Sequence, residues 1–321
     1  MSSPLPDGPI DTLGFLDAVL AGPDALATAV ADPVPGLPAA TEVDHVVISA
    51  GTGLEPLGAL VSALVASTAT VPVLGADAGL PAFVGPRSLV LVVGDGVPNG
   101  RSAAAAESAG ASVVEIAVAH GEGLQRAALP VALVTVLHAL EQLGHHTEVE
   151  SSVAAATAQL ERRRSELTGE RSPAARLARR VGRTLPLVYG SDPSTGAVAD
   201  RWKQQVNLGA KTASFANALP GLASDELAGW GQHGDMTRQV FSLVVLRHDH
   251  EAAGTDERMA RVYDLIDEVV HERHVIEAEG DGMLAQLLDL VFWGDVFSHH
   301  LAQELEIDPG PTDVVDGMVG P

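Results

Sequence analysis

Residues 201–230 carry the side chains best suited to chemistry in a chain made largely of Ala, Val, Leu, Gly and Asp. Both lysines of the chain, Lys203 and Lys211, lie in this segment, together with two of its three tryptophans. A lysine ammonium group can hold an anion or pair with a carboxylate. The i, i+4, i+8 spacing of Lys203, Asn207 and Lys211 predicts that they share one face of a helix. We interpret this face either as a binding surface or as a set of ties at a domain interface.

A first glycine loop, Gly51-Thr52-Gly53, follows the strand-like run at residues 46–48 and precedes a helix-like segment. A strand followed by glycines and a helix presents backbone N–H groups to a phosphate. An ordinary tight turn is the alternative interpretation. The loop lacks the ending of a Walker loop and the glycine spacing of a dinucleotide fingerprint.

A second glycine loop, residues 94–100, follows the apolar run at residues 89–93 and contains Asp95, Gly96 and Asn99. Ligand loops lie at the carboxyl ends of strands in open α/β sheets. The charge of Asp95 has the wrong sign for a phosphate ligand. Two unit charges 4 Å apart repel by about 4 kcal/mol at an effective dielectric of about 20. This repulsion would cost roughly a thousandfold in phosphate affinity unless Asp95 points away from the ligand.

Composition excludes several functional classes. The chain has no cysteine, which excludes thiol catalysis and cysteine zinc sites. No nucleophile elbow occurs, and the histidines lack the spacing of a zincin helix. The net charge of −23 argues against nucleic acid as a partner. The longest nearly uncharged apolar stretch, residues 127–140, is shorter than the roughly 20 residues of a membrane span. We predict a cytoplasmic protein that binds neither membrane nor nucleic acid.

Strand-like and helix-like segments alternate in both halves of the chain, which indicates parallel sheets. Residues 12–30 have helical spacing, interrupted at Gly22-Pro23. The predicted strands are residues 46–48, 71–74, 89–93 and 113–116 in the first half and 186–190, 241–246 and 274–278 in the second. We predict an N-terminal helical segment over residues 1–38, domains over 39–150 and 185–321, and a helical connector over 151–184.

The predicted connector holds eight of the nineteen basic residues, including Arg162-Arg163-Arg164 and Arg179-Arg180. Two interpretations remain open for these arginines. They either pair with an acidic surface of the same chain or form a site for an anion or a partner protein.

The sequence of residues 201–230 resembles that of the bifunctional phosphoglucose/phosphomannose isomerases, which have the SIS (sugar isomerase) fold. The family pattern runs approximately Arg-x-Lys-x-x-x-Asn-Glu-Asn-x-Lys and then Leu-Pro-Glu-Leu-x-His-Asn-Glu-Ile-x-Gly-Trp. Three further segments are similar to the family's Pro-Arg-Ala-Ala-Leu, Gly-Asp-Phe-Val-Ser and Ile-Asp-Pro, namely Arg126-Ala127-Ala128-Leu129, Gly294-Asp295-Val296-Phe297-Ser298 and Ile307-Asp308-Pro309. The resemblance covers residues 44–315 and is most specific in the second half.

The resemblance implies an α/β fold of two SIS-type domains, each a parallel sheet flanked by helices in a flavodoxin-like three-layer arrangement. It implies a role in carbohydrate metabolism, with a sugar phosphate or a related small anion as the ligand. Members interconvert an aldose 6-phosphate and fructose 6-phosphate without a metal or another cofactor. The family also implies a homodimer, in which the ring-opening histidine lies near the subunit boundary.

Matching by residue shows where this chain departs from the family. Arg126 falls at the position that stabilises the enediolate, but the base glutamate falls on Leu208 and the ring-opening histidine on Ser224. The phosphate loop falls near residues 95–99 and has lost its hydroxyls. The family's near-terminal lysine has no counterpart. The candidate ligand-binding residues are Gly51, Thr52, Gly53, Asp95, Gly96, Asn99, Asn207 and Lys211.

Three functional hypotheses follow from the retained frame and the replaced groups. The first is a binding or regulatory pseudo-isomerase that holds a sugar phosphate. The second is an active aldose–ketose isomerase with a rebuilt site that uses His233 or Asp95. The third is a structural partner that stabilises a neighbouring enzyme, for which the arginine-rich connector is the only support.

Overall fold

The computed structural model describes residues 10–76, 79–95 and 97–312 of the 321 residues, without the side chains of residues 97–99. The chain divides into two compact units. Within the described residues, the first-sheet unit comprises residues 20–162 and 279–289. The second-sheet unit comprises residues 10–19, 163–278 and 290–312.

The first-sheet unit is built on four parallel strands in the order β2-β1-β3-β4. All six residues of β3 are buried, as a uniformly apolar run predicts for a strand covered on both faces. The strands are β1 His45–Ala50, β2 Val73–Gly75, β3 Ser88–Val93 and β4 Ser112–Ile116. The helices beside them are α2 Leu57–Val65, α3 Val97–Ser108 and α4 Leu129–Gln142.

The second-sheet unit repeats this topology, with parallel strands in the order β6-β5-β7-β8. The strands are β5 Leu185–Gly190, β6 Phe215–Ala218, β7 Phe241–Arg247 and β8 Arg273–Glu277. The helices in this unit are α6 Pro173–Val181, α7 Pro193–Leu208, α8 Gly221–Asp225, α9 Gly234–Val240 and α10 Thr255–Ile266. Three further helices have residues in both units: α1 Phe15–Ala29, α5 Val149–Leu167 and α11 Met283–Glu304.

The predicted fold class is confirmed, because each half forms a parallel sheet with flanking helices. The predicted break at Gly22-Pro23 is wrong, since α1 continues from Phe15 to Ala29. Pro23 lies on the stripe of buried residues that includes Val19 and Leu26. Burial of this apolar stripe offsets the backbone hydrogen bond that a proline inside a helix forgoes.

The shared helix face predicted for Lys203, Asn207 and Lys211 is also wrong. Helix α7 ends at Leu208, and Lys211 has a left-handed backbone with φ of 50°. The sequence after Leu208 begins Gly209-Ala210, and Gly209 is the residue that ends the helix. The segment then turns into β6, a strand that the sequence patterns did not predict.

Candidate functional site

The two candidate glycine loops lie together at the carboxyl edge of the first sheet. Strands β1 and β3 are neighbours whose crossovers leave in opposite directions, which is where open α/β sheets bind ligands. Residues 51–53 follow β1 and residues 94–95 follow β3. The N–H of Gly51 donates to the Val93 carbonyl at 2.8 Å. The structure therefore brings both predicted loops to one edge, although Gly96 and the side chain of Asn99 lie outside the described residues.

The side chain of Gln125 joins the two loops. Its Nε2 donates to the carbonyl of Thr52 at 2.8 Å and to that of Asp95 at 3.0 Å, and its Oε1 accepts the N–H of Asp95 at 2.5 Å. Gln125 is buried and begins a short 3-10 turn before α4. Sequence reasoning missed this residue, because a lone glutamine carries no chemical signature before its contacts are known.

Arg126 packs beside the first loop and is buried. A Cβ atom added to Gly53 would lie 3.0 Å from the Cβ of Arg126, and Gly53 has φ of 86°, so both space and backbone conformation require glycine there. The N–H of Gly53 donates to Oε1 of Glu55 at 3.0 Å. An anion that used this N–H group would have to displace the exposed Glu55 carboxylate.

Asp95 is paired with a histidine. Its Oδ2 lies 3.1 Å from Nε2 of His120, and the Asp95 side chain is 79% exposed. Nδ1 of His120 lies 2.9 Å from the carbonyl oxygen of Gly121. Both ring nitrogens of His120 therefore lie against oxygen atoms, and the ring connects the Asp95 carboxylate to the Gly121 backbone.

The corresponding edge of the second sheet is filled by the chain's own carboxylate. Glu251 accepts hydrogen bonds from the Ser191 hydroxyl, from Nε of Arg247 at 2.6 Å and from the His248 N–H at 3.3 Å. Burial opposes the charged form of Glu251, but the bonds from Arg247 and Ser191 prevail and lower its pKa. The switch point between β5 and β7 is therefore already occupied by an anion of the protein.

A second carboxylate–histidine pair stands beside Glu251. Nε2 of His248 lies 2.8 Å from Oδ2 of Asp192, while Nδ1 of His248 accepts the N–H of His250 at 3.1 Å. Nδ1 therefore carries no proton, and Nε2–H donates to Asp192. The other carboxylate oxygen of Asp192 accepts from the N–H of Thr195 in a capping box that begins α7. Asp192 thus caps the start of α7, and His248 holds the Asp192 carboxylate in place.

Asn207, Leu208 and Lys211 lie at the amino edge of the second sheet. The side chain of Asn207 exchanges two hydrogen bonds of 3.3 Å with the backbone of Ser214. The hydroxyl of Ser214 in turn donates to the Pro186 carbonyl at the start of β5. Nζ of Lys211 donates to the carbonyls of Leu208 and Pro311. The polar side chains retained here are engaged in local ties to the backbone.

Ser224 lies at the opposite, carboxyl edge of the same sheet. It is exposed, and its hydroxyl donates to the Gly221 carbonyl at 2.9 Å. The nearby carboxylate of Glu226 accepts from the Tyr189 hydroxyl and from Nδ2 of Asn217 at 2.7 Å. Burial and this carboxylate raise the pKa of Tyr189, so its hydroxyl stays protonated at neutral pH. The structure therefore does not bring Leu208 and Ser224 together within the second-sheet unit.

Residues 201 and 202, in the segment that resembles the isomerase family, join α7 to α11 through buried hydrogen bonds. The guanidinium of Arg201 donates to both oxygens of Asp295 at 3.1 Å, and neither side chain is exposed by more than 2%. Nε1 of Trp202 donates to the Leu290 carbonyl at 2.8 Å. A Cβ atom at Gly294 would lie 2.4 Å from this indole nitrogen. Arg201 and Trp202 of the 201–230 segment therefore contact Gly294 and Asp295 of α11 in the core.

His233, the alternative acid–base residue, precedes α9 and is exposed. It lines an open pocket of about 410 Å³ together with residues 231–236, Arg238, Glu268 and Val269. Within the described parts of the chain, no three His, Asp or Glu side chains are grouped as metal ligands. None of the helices that the structure describes is long and apolar enough to cross a membrane.

Comparison with known proteins agrees with the fold and with the second-half motifs. Residues 170–318 match the bacterial phospho-glucose isomerase C-terminal SIS domain. The bifunctional phosphoglucose/phosphomannose isomerase of Caldicellulosiruptor bescii is 27% identical over 305 residues, which cover 86% of this chain and 89% of that protein.

Two solved structures show the same fold. A glucose-6-phosphate isomerase-like protein of Thermus thermophilus has a TM-score of 0.59 and 20% identity, over 95% of this chain and 98% of that one. The tagatose-6-phosphate ketose/aldose isomerase of Escherichia coli has a TM-score of 0.68 and 10% identity, over 92% and 95%. The chain therefore has the SIS fold, and it is similar over most of its length to the bifunctional phosphoglucose/phosphomannose isomerases, most specifically over residues 170–318.

Proposed function

We propose that this protein binds a sugar phosphate, or a related small anionic sugar derivative, without isomerising it. The proposal is supported chiefly by the motif match, which puts Leu208 at the family's base position and Ser224 at its acid position. A leucine cannot accept a proton, and a serine hydroxyl is a poor acid at neutral pH. Each general acid or base contributes about 10²–10⁴-fold to a rate, so their joint loss leaves binding as the function that the scaffold supports best.

The first-sheet switch point supports a ligand site of this kind. Residues 51–53 and 94–95 meet there, and Arg126 lies beside the first loop. The second-sheet switch point is a poorer candidate, because Glu251 already fills it. We therefore expect one ligand per chain, bound at the first-sheet unit.

A homodimer is part of the proposal. Leu208 and Ser224 lie at opposite edges of the second sheet, with the 16 residues of α7 leading from one edge to the other. A helix of that length spans about 24 Å. A site that uses both positions therefore needs the second one from another copy of the chain. Location in the cytoplasm and the domain boundaries given above stay predictions.

Calorimetry with purified protein and a panel of hexose phosphates and nucleotide sugars tests the binding function. We expect a Kd below millimolar for at least one hexose phosphate. Absence of binding to every member of the panel at millimolar concentration would remove the proposal. Light scattering at micromolar protein should give the mass of a dimer.

The Asp95–His120 pair favours a second candidate, an isomerase with a rebuilt site. A carboxylate and an imidazole 3.1 Å apart at the ligand edge could exchange a proton with a sugar. A coupled assay with glucose 6-phosphate and mannose 6-phosphate decides between the two functions. Turnover that disappears in Asp95→Asn and in His120→Gln would favour this candidate, whereas a background rate in the parent protein would exclude it.

A further inference from the structure

We propose that Gln125 is the positioning residue of the ligand edge: it sets the spacing of the two glycine loops and withholds the Asp95 N–H from the ligand. The inference rests on the proposed function, because it concerns the same edge of the first sheet. Gln125 belongs to neither loop, and no residue matching assigned it a role.

The hydrogen bonds of Gln125 account for its whole carboxamide. Both protons of Nε2 are used, one on the Thr52 carbonyl at 2.8 Å and one on the Asp95 carbonyl at 3.0 Å. The Oε1 atom accepts the Asp95 N–H at 2.5 Å. One planar amide thus fixes the distance between a residue of the first loop and a residue of the second. We call this arrangement the Gln125 clasp.

Glycine at position 94 makes the clasp possible. A Cβ atom on Gly94 would lie 2.9 Å from Oε1 of Gln125 and 2.8 Å from Cδ1 of Leu54. Gly94 also has φ of 76°, a conformation that favours glycine. The sequence suggested that the glycines of this loop leave room for a ligand. At Gly94 that room is taken by the side-chain amide of Gln125.

The clasp changes what the second loop can offer an anion. A glycine loop binds phosphate through backbone N–H groups, but the Asp95 N–H already has Gln125 as its acceptor. His120 holds the Asp95 carboxylate from the other side, at 3.1 Å. Asp95 is therefore held at both its backbone and its side chain, which positions residues 94–95 beside the first loop.

The neutral amide also distinguishes this edge from the other one. The second-sheet switch point is held together by a charged group, Glu251, with Arg247 as its partner. An amide joins the first-sheet loops without adding a negative charge, so it leaves that edge less repulsive to a phosphate. In the resembled motif a proline precedes the arginine, and a proline side chain could form none of these bonds, which makes the clasp a property of this chain.

Three variants test the clasp. Gln125→Met keeps a similar volume and removes every hydrogen bond, and Gln125→Glu places a carboxylate against the carbonyl oxygens of Thr52 and Asp95. Gln142→Met is the matched control in the same unit, because Oε1 of Gln142 accepts a backbone N–H, that of Val34 at 3.1 Å, away from the ligand edge. Each protein is studied by amide hydrogen exchange at neutral pH and by calorimetry with the hexose phosphate that the parent binds best.

We expect Gln125→Met to raise the exchange rate of the Asp95 amide by on the order of tenfold, the worth of about one hydrogen bond, with the β3 amides unchanged. Affinity for the hexose phosphate should fall by a similar factor, and Gln142→Met should change neither quantity. Gln125→Glu should lose more affinity at pH 7.5 and regain part of it at pH 6, because a buried carboxyl beside two carbonyls binds its proton more tightly. A purely structural role would not produce this pH profile.

Unchanged exchange at Asp95 in both Gln125 variants would overturn the clasp. Faster exchange with unchanged affinity, and no pH effect in Gln125→Glu, would overturn its role in positioning the ligand. If the parent binds no member of the panel while Asp95 exchange still rises in Gln125→Met, the clasp stands and the proposed function fails.

Discussion

At the scale of one residue, the Asp95 carboxylate brings a negative charge to the edge of the first sheet where we expect the ligand to bind. Its side chain is 79% exposed, so water screens its repulsion of a phosphate below the value for two buried charges. We expect Asp95→Asn to increase affinity for hexose phosphates by about tenfold, which corresponds to roughly 1.4 kcal/mol. Calorimetry at low ionic strength measures the change.

The control for this prediction is Asp32→Asn, which removes an exposed carboxylate from the same unit outside the two loops. It should leave affinity unchanged. A loss of affinity in Asp95→Asn would contradict the prediction and would indicate that Asp95 contacts the ligand directly.

At the scale of elements, the contact between α7 and α11 depends on one glycine. A Cβ atom at Gly294 would lie 2.4 Å from Nε1 of Trp202, whose indole is fully buried and bonded to the Leu290 carbonyl. Overpacking of a core of this kind costs about 1–3 kcal/mol. We therefore expect Gly294→Ala to lower the free energy of unfolding by that amount, as measured by urea titration.

Gly22 provides the matched control, because it lies inside α1 and has no atom within 4 Å of an added Cβ. Gly22→Ala should raise the free energy of unfolding by up to about 1 kcal/mol, since alanine favours a helix more than glycine does. An equal effect of the two substitutions would show that Gly294 is not at a close helix contact.

Periodicity located most of the elements from sequence, but it failed where a tertiary contact decided the outcome. Strand β3 was predictable because five consecutive apolar residues, 89–93, need burial on both faces. Strand β6, Phe-Ala-Asn-Ala, has a weak pattern, and it forms by pairing with β5. The continuous helix α1 could not be predicted, because it depends on the burial of its apolar stripe, including Pro23, in the folded protein.

Sequence located the candidate site only in part. The two glycine loops could be found because glycines after apolar runs mark strand ends, and the structure places both at one switch point. Neither Gln125 nor the Asp95–His120 pair could be found, since their partners are distant in sequence. The position of Lys211 depended on where α7 ends, and a spacing argument cannot supply that boundary.

At the scale of the whole molecule, buried histidines make stability depend on pH. Burial lowers the pKa of His299 from 6.5 to about 4; the carboxylates of Asp11 and Asp17 oppose this shift and His300 adds to it. The unfolded chain then binds more protons than the folded one between these two values, so stability falls as pH decreases from 6.5 towards 4. The loss attributable to His299 is roughly 3 kcal/mol.

Urea titrations at pH 7, 6 and 5 measure this slope. We expect His299→Leu to flatten it by up to about 1.4 kcal/mol per pH unit, while the exposed His233→Gln control leaves it unchanged. His145, His274 and His300 also have pKa values lowered by burial and will retain part of the slope in every variant. An unaltered slope in His299→Leu would contradict the assignment.

Complementation between two copies of the chain tests the dimer and the two replaced positions together. Leu208→Glu supplies a base at the amino edge of the second sheet, and Ser224→His supplies an acid–base group at its carboxyl edge. Each single variant should stay inactive, because it restores only one of the two groups. The two edges are separated by α7, about 24 Å long, so we expect each site to take the two groups from different chains. A mixture of the two variants, unfolded and refolded together, should gain phosphoglucose isomerase activity in the coupled assay.

The double variant serves as the positive control, because a dimer of it contains both groups in both shared sites. It should have at least about twice the activity of the mixture, in which only some dimers are mixed and each of those restores one site. An active double variant with an inactive mixture would show that the pair meets within one chain, against the proposed dimer. An inactive double variant would show that Leu208 and Ser224 do not by themselves account for the lost chemistry. Activity in the mixture, with each single variant inactive, would show that the two positions act from different copies of the chain and would support the proposed dimer.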